Sequence, residues 1–400
     1  MNQLTVLSIV ASLHFVSWHL VSPYIALVAK GQGAGTDTIG LIMAAYAVLP
    51  MVVSVPTGVI CDRTGTRKLF ISSTVGIAVG SCSLLVSRSV NFLAASLAAL
   101  GLFHVLQSVA TQVTIAHSGD ENIVYRNFAV YSFCSCVAHL IAPPLGGLLV
   151  REFGYGTLFA VSASLAVLML VFTPLMKEIE PRKSLPKVSN AWEVTRRSVQ
   201  TLLHKPAFVI SLLGIFGIIV LYSLRTSFYS VYFDEANLSP PMIGLLLTVQ
   251  GAAEMAIRPF TISWRNQFGP APTLLVALAA CAGSALLTPW FKSVGVLALV
   301  LGLGGVGYGL AHPITMGLAS QAADDGERGL AMGLRMFANR LSGLVAPLFL
   351  GKMGNVFDIK AIFAAAAGAI VSCLVVVYIW AKVDNSLWLP RRRQASPRTS

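Results

Sequence analysis

Twelve runs of apolar residues, each about as long as the ~20-residue helix that crosses a bilayer, fill most of this chain. They lie near 4–29, 38–60, 69–87, 91–115, 127–150, 157–176, 207–233, 241–261, 271–290, 294–318, 329–351 and 361–381. The 400 residues are 56% hydrophobic and 11% charged, whereas soluble domains carry roughly 25% charged residues. We therefore predict an all-α integral membrane protein of twelve transmembrane helices with almost no room for a soluble domain.

The basic residues indicate how the chain is oriented in the membrane. The formal net charge is +12, and with the N-terminus in the cytoplasm about eighteen of the 28 Lys and Arg fall on cytoplasmic loops and tails. The positive-inside rule then predicts a multi-pass cell (inner or plasma) membrane protein with both termini cytoplasmic. The tail 384–400 with Arg391, Arg392 and Arg393 is expected to face lipid, so lipid and not nucleic acid is the predicted partner of these charges.

The sequence offers no motif for an enzyme, a metal site or a cofactor. Its six cysteines fall in predicted helices or at their cytoplasmic ends, and no Cys/His spacing is typical of a metal site. His-Glu-x-x-His, Gly-x-Ser-x-Gly and Gly-x-x-x-x-Gly-Lys patterns are missing. The glycine-dense stretch 302–309 lies within the tenth run and indicates close helix packing. We expect a protein that is not an enzyme and has no cofactor.

The longest hydrophilic stretch, 177–205, separates six runs from six. It predicts an N-terminal six-helix bundle (1–176), a cytoplasmic linker (177–205), a C-terminal six-helix bundle (206–383) and a basic tail (384–400). Asn190 and Glu193 have the spacing of a helix N-cap pair, so a short interfacial helix carrying Trp192 is expected in the linker. The two halves echo each other at an offset of about 202 residues, as parallel repeats do.

A polar turn between the second and third runs resembles the loop signature of the major facilitator superfamily of transporters. Its matching positions are Gly58, Asp62, Arg63, Gly65, Arg67 and Lys68. The resemblance implies two six-helix bundles that alternate access to a central site, and it implies that this loop is a conformational latch whose Asp62 meets the start of the eleventh helix. The equivalent loop of the second half, 261–269, has no acidic residue, so one strong latch is expected.

Two further elements resemble parts of proton-coupled antiporters in that superfamily. The fifth run resembles a Gly-Pro-x-x-Gly-Gly element, with Ala142 in place of the first glycine, followed by Pro143, Pro144, Gly146 and Gly147. This element favours antiport, and ordinary helix packing is the alternative interpretation. In the fourth run, His104 stands three residues before Gln107, where such antiporters carry arginine. His104 is therefore a candidate proton carrier, and a neutral histidine packed between helices is the alternative.

Ionisable residues at bilayer depth are costly and usually functional. The second half carries five of them: Arg225, Glu254, Arg258, Arg335 and Arg340. Glu254 and Arg258 are four residues apart and share a helix face. Four positive charges against one carboxylate predict a site for an anionic group, since a guanidinium suits carboxylate or phosphate; alternatively Arg258 and Arg335 reach the headgroups while Glu254 neutralises Arg340. Gln250 lies one turn from Glu254 and is a candidate lining residue.

The first run contains His14, Trp18, His19 and Tyr24 and no acidic residue. His14 and Trp18 share a helix face, which suits a planar or amphiphilic substrate and argues against a cationic drug. His139 and His312 precede prolines within runs, and we interpret them as structural.

These features together predict a secondary active transporter, driven by a proton gradient, that exports a small organic molecule of anionic or amphiphilic character. Glu254 or His104 would carry the proton, and Arg225 and Arg340 would hold the anionic group. The protein is expected to be a monomer in contact with membrane lipid. Alternatives are an uptake symporter or uniporter for an organic acid, and a lipid flippase on the same fold.

Overall fold

The computed structural model describes residues 3–64, 66–116, 121–175, 199–323 and 328–388, which are almost entirely helical and contain no β-strand. The first half consists of α1 (Gln3–Val21), α2 (Ile25–Gly31), α3 (Thr36–Thr64), α4 (Thr66–Leu85), α5 (Val90–Ala116) and α6 (Glu121–Phe172), then a 3-10 turn at Thr173–Leu175. Helix α6 breaks at Gly154, where φ is 80° and ψ is 175°, so it comprises two successive helices.

The second half opens with helical residues 199–204. It continues with α7 (Pro206–Ser223), a π-helical segment (Leu224–Phe228), α8 (Tyr229–Glu235), α9 (Pro240–Ile257), a 3-10 turn (Arg258–Phe260), α10 (Thr261–Phe268), α11 (Pro270–Leu287), a 3-10 turn (Thr288–Trp290), α12 (Val294–Ala322), α13 (Arg328–Val356), α14 (Ile359–Ala381) and a 3-10 turn (Asn385–Trp388). The predicted interfacial helix around Trp192 and the tail arginines lie outside the described residues.

Among the described residues, twelve helical segments are long enough to cross a membrane. Ten helical segments of the described residues are also apolar enough by composition. One of the ten, Val130–Leu175, has 46 residues and contains the break at Gly154, so it supplies two spans. The twelfth is α13, which has 29 residues and carries Arg335, Arg340 and Lys352 within its length. At 1.5 Å per residue α13 is about 43 Å long, which exceeds the ~30 Å hydrocarbon core.

Large apolar side chains cover much of the surface. Phe153, Ile262, Leu299 and Trp290 are between 67% and 77% exposed. Contiguous exposed apolar surface is rare on soluble monomers, and acyl chains are the medium in which such side chains are stable. The surface therefore agrees with a multi-pass membrane protein.

The described residues group into two compact units. The first contains the described residues as far as Leu175 together with Arg225–Thr248, and the second contains residues 199–224 and 249–388. The segment Arg225–Thr248 therefore groups with the first unit although it follows the predicted linker in sequence. The linker itself lies largely outside the described residues, and the bounds of the four predicted segments stay predictions.

Close helix approaches in the first unit depend on glycine. A Cβ atom at Gly101 on α5 would collide with the backbone carbonyl oxygen of Tyr46 on α3. One at Gly76 on α4 would overlap the ring of Phe103 on α5. Glycine at these positions therefore lets α5 lie directly against α3 and α4, and it brings Tyr46 and His104 to neighbouring positions.

The close packing predicted for the glycine-dense stretch of α12 is confirmed in the second unit. A Cβ atom at Gly305 would collide with the carbonyl oxygen of Gln250, and one at Gly309 would lie 2.6 Å from the carbonyl oxygen of Glu254. Helix α12 thus contacts the backbone of α9 beside the two polar side chains that the sequence singled out.

We expect Gly305→Ala to destabilise the protein by about 1–3 kcal/mol, because the new methyl group must displace the backbone of α9. Gly317→Ala on the same helix is the matched control, since a Cβ atom there meets nothing within 4 Å. Thermal unfolding of both variants in detergent measures the difference. Equal unfolding temperatures for the two variants would contradict the packing described here.

Candidate functional site

A cluster of aromatic and histidine side chains joins α1, α3 and α5 in the first unit. Trp18 stacks on Tyr46 with ring centroids 4.0 Å apart and an interplanar angle of 8°. The Tyr46 hydroxyl lies 2.9 Å from Nδ1 of His104, and the rings of His14 and His104 are 5.0 Å apart. The structure therefore brings together His14, Trp18 and His104, which the sequence proposed separately, and adds Tyr46.

Two ring nitrogens of this cluster have no hydrogen-bond partner among the described residues. They are Nδ1 of His14 and Nε2 of His104, and the two residues are only 6% and 5% exposed. Nε2 of His14 lies 3.5 Å from the Ser108 hydroxyl, at the limit of a hydrogen bond. Buried polar atoms are nearly always paired, so each of these two nitrogens has the capacity for one further hydrogen bond.

Gln107 has a structural role beside this cluster. Its side-chain carbonyl accepts hydrogen bonds from the hydroxyls of Ser73 at 2.5 Å and Thr74 at 3.2 Å, and it is almost fully buried. These bonds hold α5 against α4. Gln107 thus holds α5 in place, whereas His104, three residues earlier on the same helix, belongs to the aromatic and histidine cluster.

We expect Tyr46→Phe to lower transport by about 2- to 10-fold, since a neutral hydrogen bond is worth roughly 0.5–1.5 kcal/mol. The ring stays stacked on Trp18, so the loss reports on the bond to His104. Tyr378→Phe, at an exposed position of α14, is the control. Initial rates of substrate movement in vesicles measure the effect, and unchanged rates in Tyr46→Phe would show that the bond has no role.

His19 and Tyr24, the other candidates of the first run, have different surroundings. The ring of His19 lies 3.7 Å from that of His139 on α6, centroid to centroid, although the sequence indicated only a structural role for His139. Tyr24 is fully buried, and its hydroxyl donates a 2.6 Å hydrogen bond to the carbonyl oxygen of Pro143. Tyr24 therefore holds helices together, and its contact with substrate stays a prediction.

The proline-glycine element of α6 packs against the start of α9. A Cβ atom at Gly147 would collide with the carbonyl oxygen of Pro240, and one at Gly244 would lie 2.5 Å from the carbonyl oxygen of Pro143. One at Gly146 would lie 2.6 Å from the carbonyl oxygen of Leu20. Small residues on both helices thus permit backbone contact, as in membrane helix pairs generally. The antiporter role suggested for Pro143, Pro144, Gly146 and Gly147 stays a prediction.

Arg225 lies in the π-helical segment Leu224–Phe228, which the sequence did not reveal. Single π turns inside α-helices are frequent at functional sites. Arg225 is 6% exposed, and its Nη2 donates a 3.2 Å hydrogen bond to the carbonyl oxygen of Leu247. The guanidinium is thus buried in the first unit, and the segment that carries it is irregular.

Glu254 and Arg258 form an ion pair in the second unit. Nη2 of Arg258 lies 2.5 Å from Oε1 of Glu254, and the two side chains are 32% and 8% exposed respectively. The sequence placed the two residues on one face of a helix, and the structure shows that they are in contact. Gln250, one turn before Glu254, is 3% exposed, and its Oε1 has no partner among the described residues. One face of α9 therefore presents an amide oxygen and a carboxylate–guanidinium pair.

The two membrane-depth arginines of α13, Arg335 and Arg340, differ in their contacts. Arg335 is 4% exposed, and its Nη2 donates hydrogen bonds to the Thr315 hydroxyl at 2.9 Å and to the His312 carbonyl oxygen at 3.4 Å. Arg340 is half-buried and makes no hydrogen bond or ion pair with any described residue. The alternative in which Glu254 neutralises Arg340 does not occur, because Glu254 pairs with Arg258.

The predicted latch is only partly described. Helix α3 continues to Thr64 and α4 begins at Thr66, so the polar turn is shorter than the sequence suggested. Gly58 is described only as part of α3, and the side chains of Asp62 and Arg63 and the whole of Gly65 lie outside the described residues. Arg67 and Lys68 are exposed in the first turn of α4. The latch role therefore stays a prediction.

Known proteins resemble this chain over nearly its whole length. The family model described as Major Facilitator Superfamily matches residues 7–234 and again residues 222–399. The chain belongs to the Major Facilitator Superfamily. The all-α fold predicted for a superfamily member is confirmed. Membership of the superfamily also makes the protein a carrier and not an enzyme.

Similar superfamily proteins include transporters and resistance proteins. The MFS-type transporter SLC18B1 of Mus musculus is 25% identical, with 97% of this chain and 84% of that protein covered. The class C tetracycline resistance protein of Escherichia coli is 25% identical over 82% of this chain and 80% of that protein. The quinolone resistance protein NorA of Staphylococcus aureus is 22% identical over 94% and 96%.

Among solved structures, the nucleoside transporter NupG has a TM-score of 0.80 at 13% identity, with 96% of this chain and 100% of that chain covered. At this level of identity the likeness shows the fold alone. The side chains described above must therefore indicate the cargo, since one transporter fold serves many substrates.

Proposed function

We propose that this superfamily transporter exports a small organic molecule of anionic or amphiphilic character in exchange for protons, by alternating access between two six-helix bundles. The resistance proteins among its relatives support export, because their names record protection against tetracycline and quinolone compounds. The ionisable side chains at membrane depth support coupling to protons and an anionic substrate.

The observation that carries the proposal is the ion pair between buried Glu254 and partly exposed Arg258. The sequence has sixteen acidic residues, and Glu254 is the one that lies inside an apolar run. A buried carboxylate is stabilised by a paired cation, and removing that cation leaves the carboxylate as an uncompensated buried charge. Protonation of Glu254 would release Arg258, and an anionic substrate would compete for that guanidinium. Proton and substrate binding are thereby linked through one pair.

Further side chains have assigned roles in this proposal. His104, with an open Nε2 and a hydrogen bond to Tyr46, is the second candidate proton carrier. Arg340 offers a guanidinium with no partner among the described residues, and Arg225 offers a buried one in the first unit. Asp62 and Arg63 would latch the cytoplasmic side. The protein would act as a monomer in the cell membrane with both termini cytoplasmic, and the proton gradient would be its driving force.

Proton release from acid-loaded everted membrane vesicles tests the proposal. A pH-sensitive dye reports the release while organic anions and cations are added in turn. Export by exchange predicts dequenching by one or more organic anions, and empty-vector vesicles are the control. Proton entry on addition of an anion outside the vesicles would indicate symport, as in an uptake carrier, because the proton and the anion would then move in the same direction. Lipid movement without any proton signal would indicate a flippase.

A further inference from the structure

A cavity at one end of the second unit lies between α11 and α14, away from the site described above. Its volume is about 270 Å³, far above the ~10–15 Å³ that a single water molecule needs. Helices α11 and α14 pack side by side, and the 3-10 turn after α11 contacts α14. Five of the lining residues are apolar and the sixth is a lysine: Leu286, Pro289, Trp290, Ala361, Ala364 and Lys360. The cavity therefore combines an apolar wall with one positive charge.

The cavity lies where the ends of two membrane spans meet water. Its lining residues belong to the end of the span Pro270–Trp290 and to the start of the span Ile359–Ala381. Trp290 is 77% exposed, and tryptophan is enriched at membrane–water interfaces. Leu286 is 49% exposed, so the apolar wall is open to the acyl chains around the protein.

Two lysines at this end of the unit carry positive charge that no described residue neutralises. Lys360 lines the cavity, Lys292 follows Trp290 by two residues, and both are exposed. Neither ammonium group has a hydrogen bond or an ion pair with any described residue. The carboxylate of Asp358 accepts a 2.7 Å hydrogen bond from the backbone N–H of Ala361 at the start of α14. Asp358 thus caps the helix, and both lysines are left for an anion.

We propose that this cavity binds an anionic phospholipid, whose phosphate lies against Lys360 and whose acyl chain lies along Leu286, Trp290 and Ala364. A lysine stem can follow apolar surface while its ammonium group reaches the headgroup, and an ammonium group binds phosphate as a point charge. The acyl chain supplies the apolar contacts that the open wall lacks. The inference goes beyond the proposed export function and depends on neither the cargo nor the proton.

Native mass spectrometry of the purified full-length protein in detergent tests this site. The probes are phosphatidylglycerol and a diacylglycerol with the same acyl chains, which lacks the phosphate. We expect phosphatidylglycerol to bind more tightly, and to weaken about 2- to 5-fold in Lys360→Gln, as for loss of an exposed ion pair. Lys360→Glu should weaken it further, because repulsion replaces attraction. Diacylglycerol binding should be unchanged in Lys360→Gln, which keeps an apolar stem.

Two matched variants separate the charge from the apolar wall. Ala364→Phe fills the cavity and should weaken both lipids about 10-fold, as for the loss of roughly two buried methylene groups. Lys352→Gln, at an exposed position of α13 outside the lining, should bind both lipids as the wild-type protein does. The unfolding temperature without added lipid identifies a variant that does not fold, and Ala364→Leu then replaces Ala364→Phe.

Three results would overturn the site. They are unchanged phosphatidylglycerol binding in both Lys360 variants, an equal loss in Lys352→Gln, and unchanged binding of both lipids in Ala364→Phe. Displacement of the lipid by a similar concentration of glycerol phosphate would also overturn it, because the headgroup alone would then account for binding. Proton release in vesicles is a separate measurement, so failure of the lipid site leaves the proposed export function in place.

Discussion

Glu254→Gln is expected to abolish substrate-driven proton release in everted vesicles, down to the level of empty-vector membranes. Glutamine keeps the size and a hydrogen-bonding oxygen for Arg258 but cannot take up a proton. Because Glu254 is the single carboxylate within the apolar runs, no neighbouring acid on those runs can replace it. Dye dequenching on addition of substrate measures the effect.

The matched control for this prediction is Glu152→Gln. Glu152 is also paired with an arginine, Arg151, at 2.5 Å, but the two side chains are 51% and 56% exposed. Exposed ion pairs contribute little to stability, so transport should be unchanged. Full proton release in Glu254→Gln would contradict its role in coupling and leave His104 as the remaining candidate.

Arg340→Ala is expected to weaken the apparent affinity for an anionic substrate about 10- to 100-fold, the range for loss of a charge-assisted hydrogen bond of roughly 1.5–3 kcal/mol. Each of the other three membrane-depth arginines contacts a described residue: Arg225 contacts Leu247, Arg258 contacts Glu254, and Arg335 contacts Thr315. Arg340 makes no such contact, so its guanidinium is the one that an anion can occupy without breaking an observed bond.

Concentration dependence of transport measures this effect, with Arg340→Lys as the conservative variant. Lysine keeps the charge and loses the planar fork, so its affinity should lie between those of the wild type and the alanine variant. Lys352→Ala, at an exposed position on the same helix, is the control. An unchanged half-saturation concentration in Arg340→Ala would remove Arg340 from the site.

The fold was largely predictable from the sequence because its strongest signal is length and apolarity. Runs of about 20 apolar residues can satisfy their backbone groups in a bilayer only as helices. Helix α13 shows that this signal also predicts a helix that carries charges. The length of its run and the repeat between the two halves of the chain were enough to predict it, although it contains Arg335 and Arg340. Details of a single turn were not predictable. The π-helical segment at Leu224–Phe228 has no sequence signature, because local packing decides it.

The candidate site was only partly predictable because it depends on contacts between distant helices. Glu254 and Arg258 lie on one helix, so their spacing was enough to place them on the same face. The partners of His104 and Arg335 lie on other helices: Tyr46 is 58 residues from His104, and Thr315 is 20 residues from Arg335. A signal was available for Tyr46, an aromatic residue with a polar hydroxyl in the middle of an apolar run, but one sequence does not show which neighbour it meets.

Reconstitution of the purified protein into liposomes tests the central claim, proton-coupled export, most directly. A labelled organic acid that drives proton release in vesicles is added outside liposomes whose interior is acidic, with and without an ionophore that collapses the pH gradient. If transport is by exchange, protein molecules that release internal protons and take up external substrate accumulate the acid inside the liposomes above its outside concentration. The ionophore then abolishes this accumulation. Accumulation that requires an acidic exterior, or that persists without a gradient, would contradict the claim.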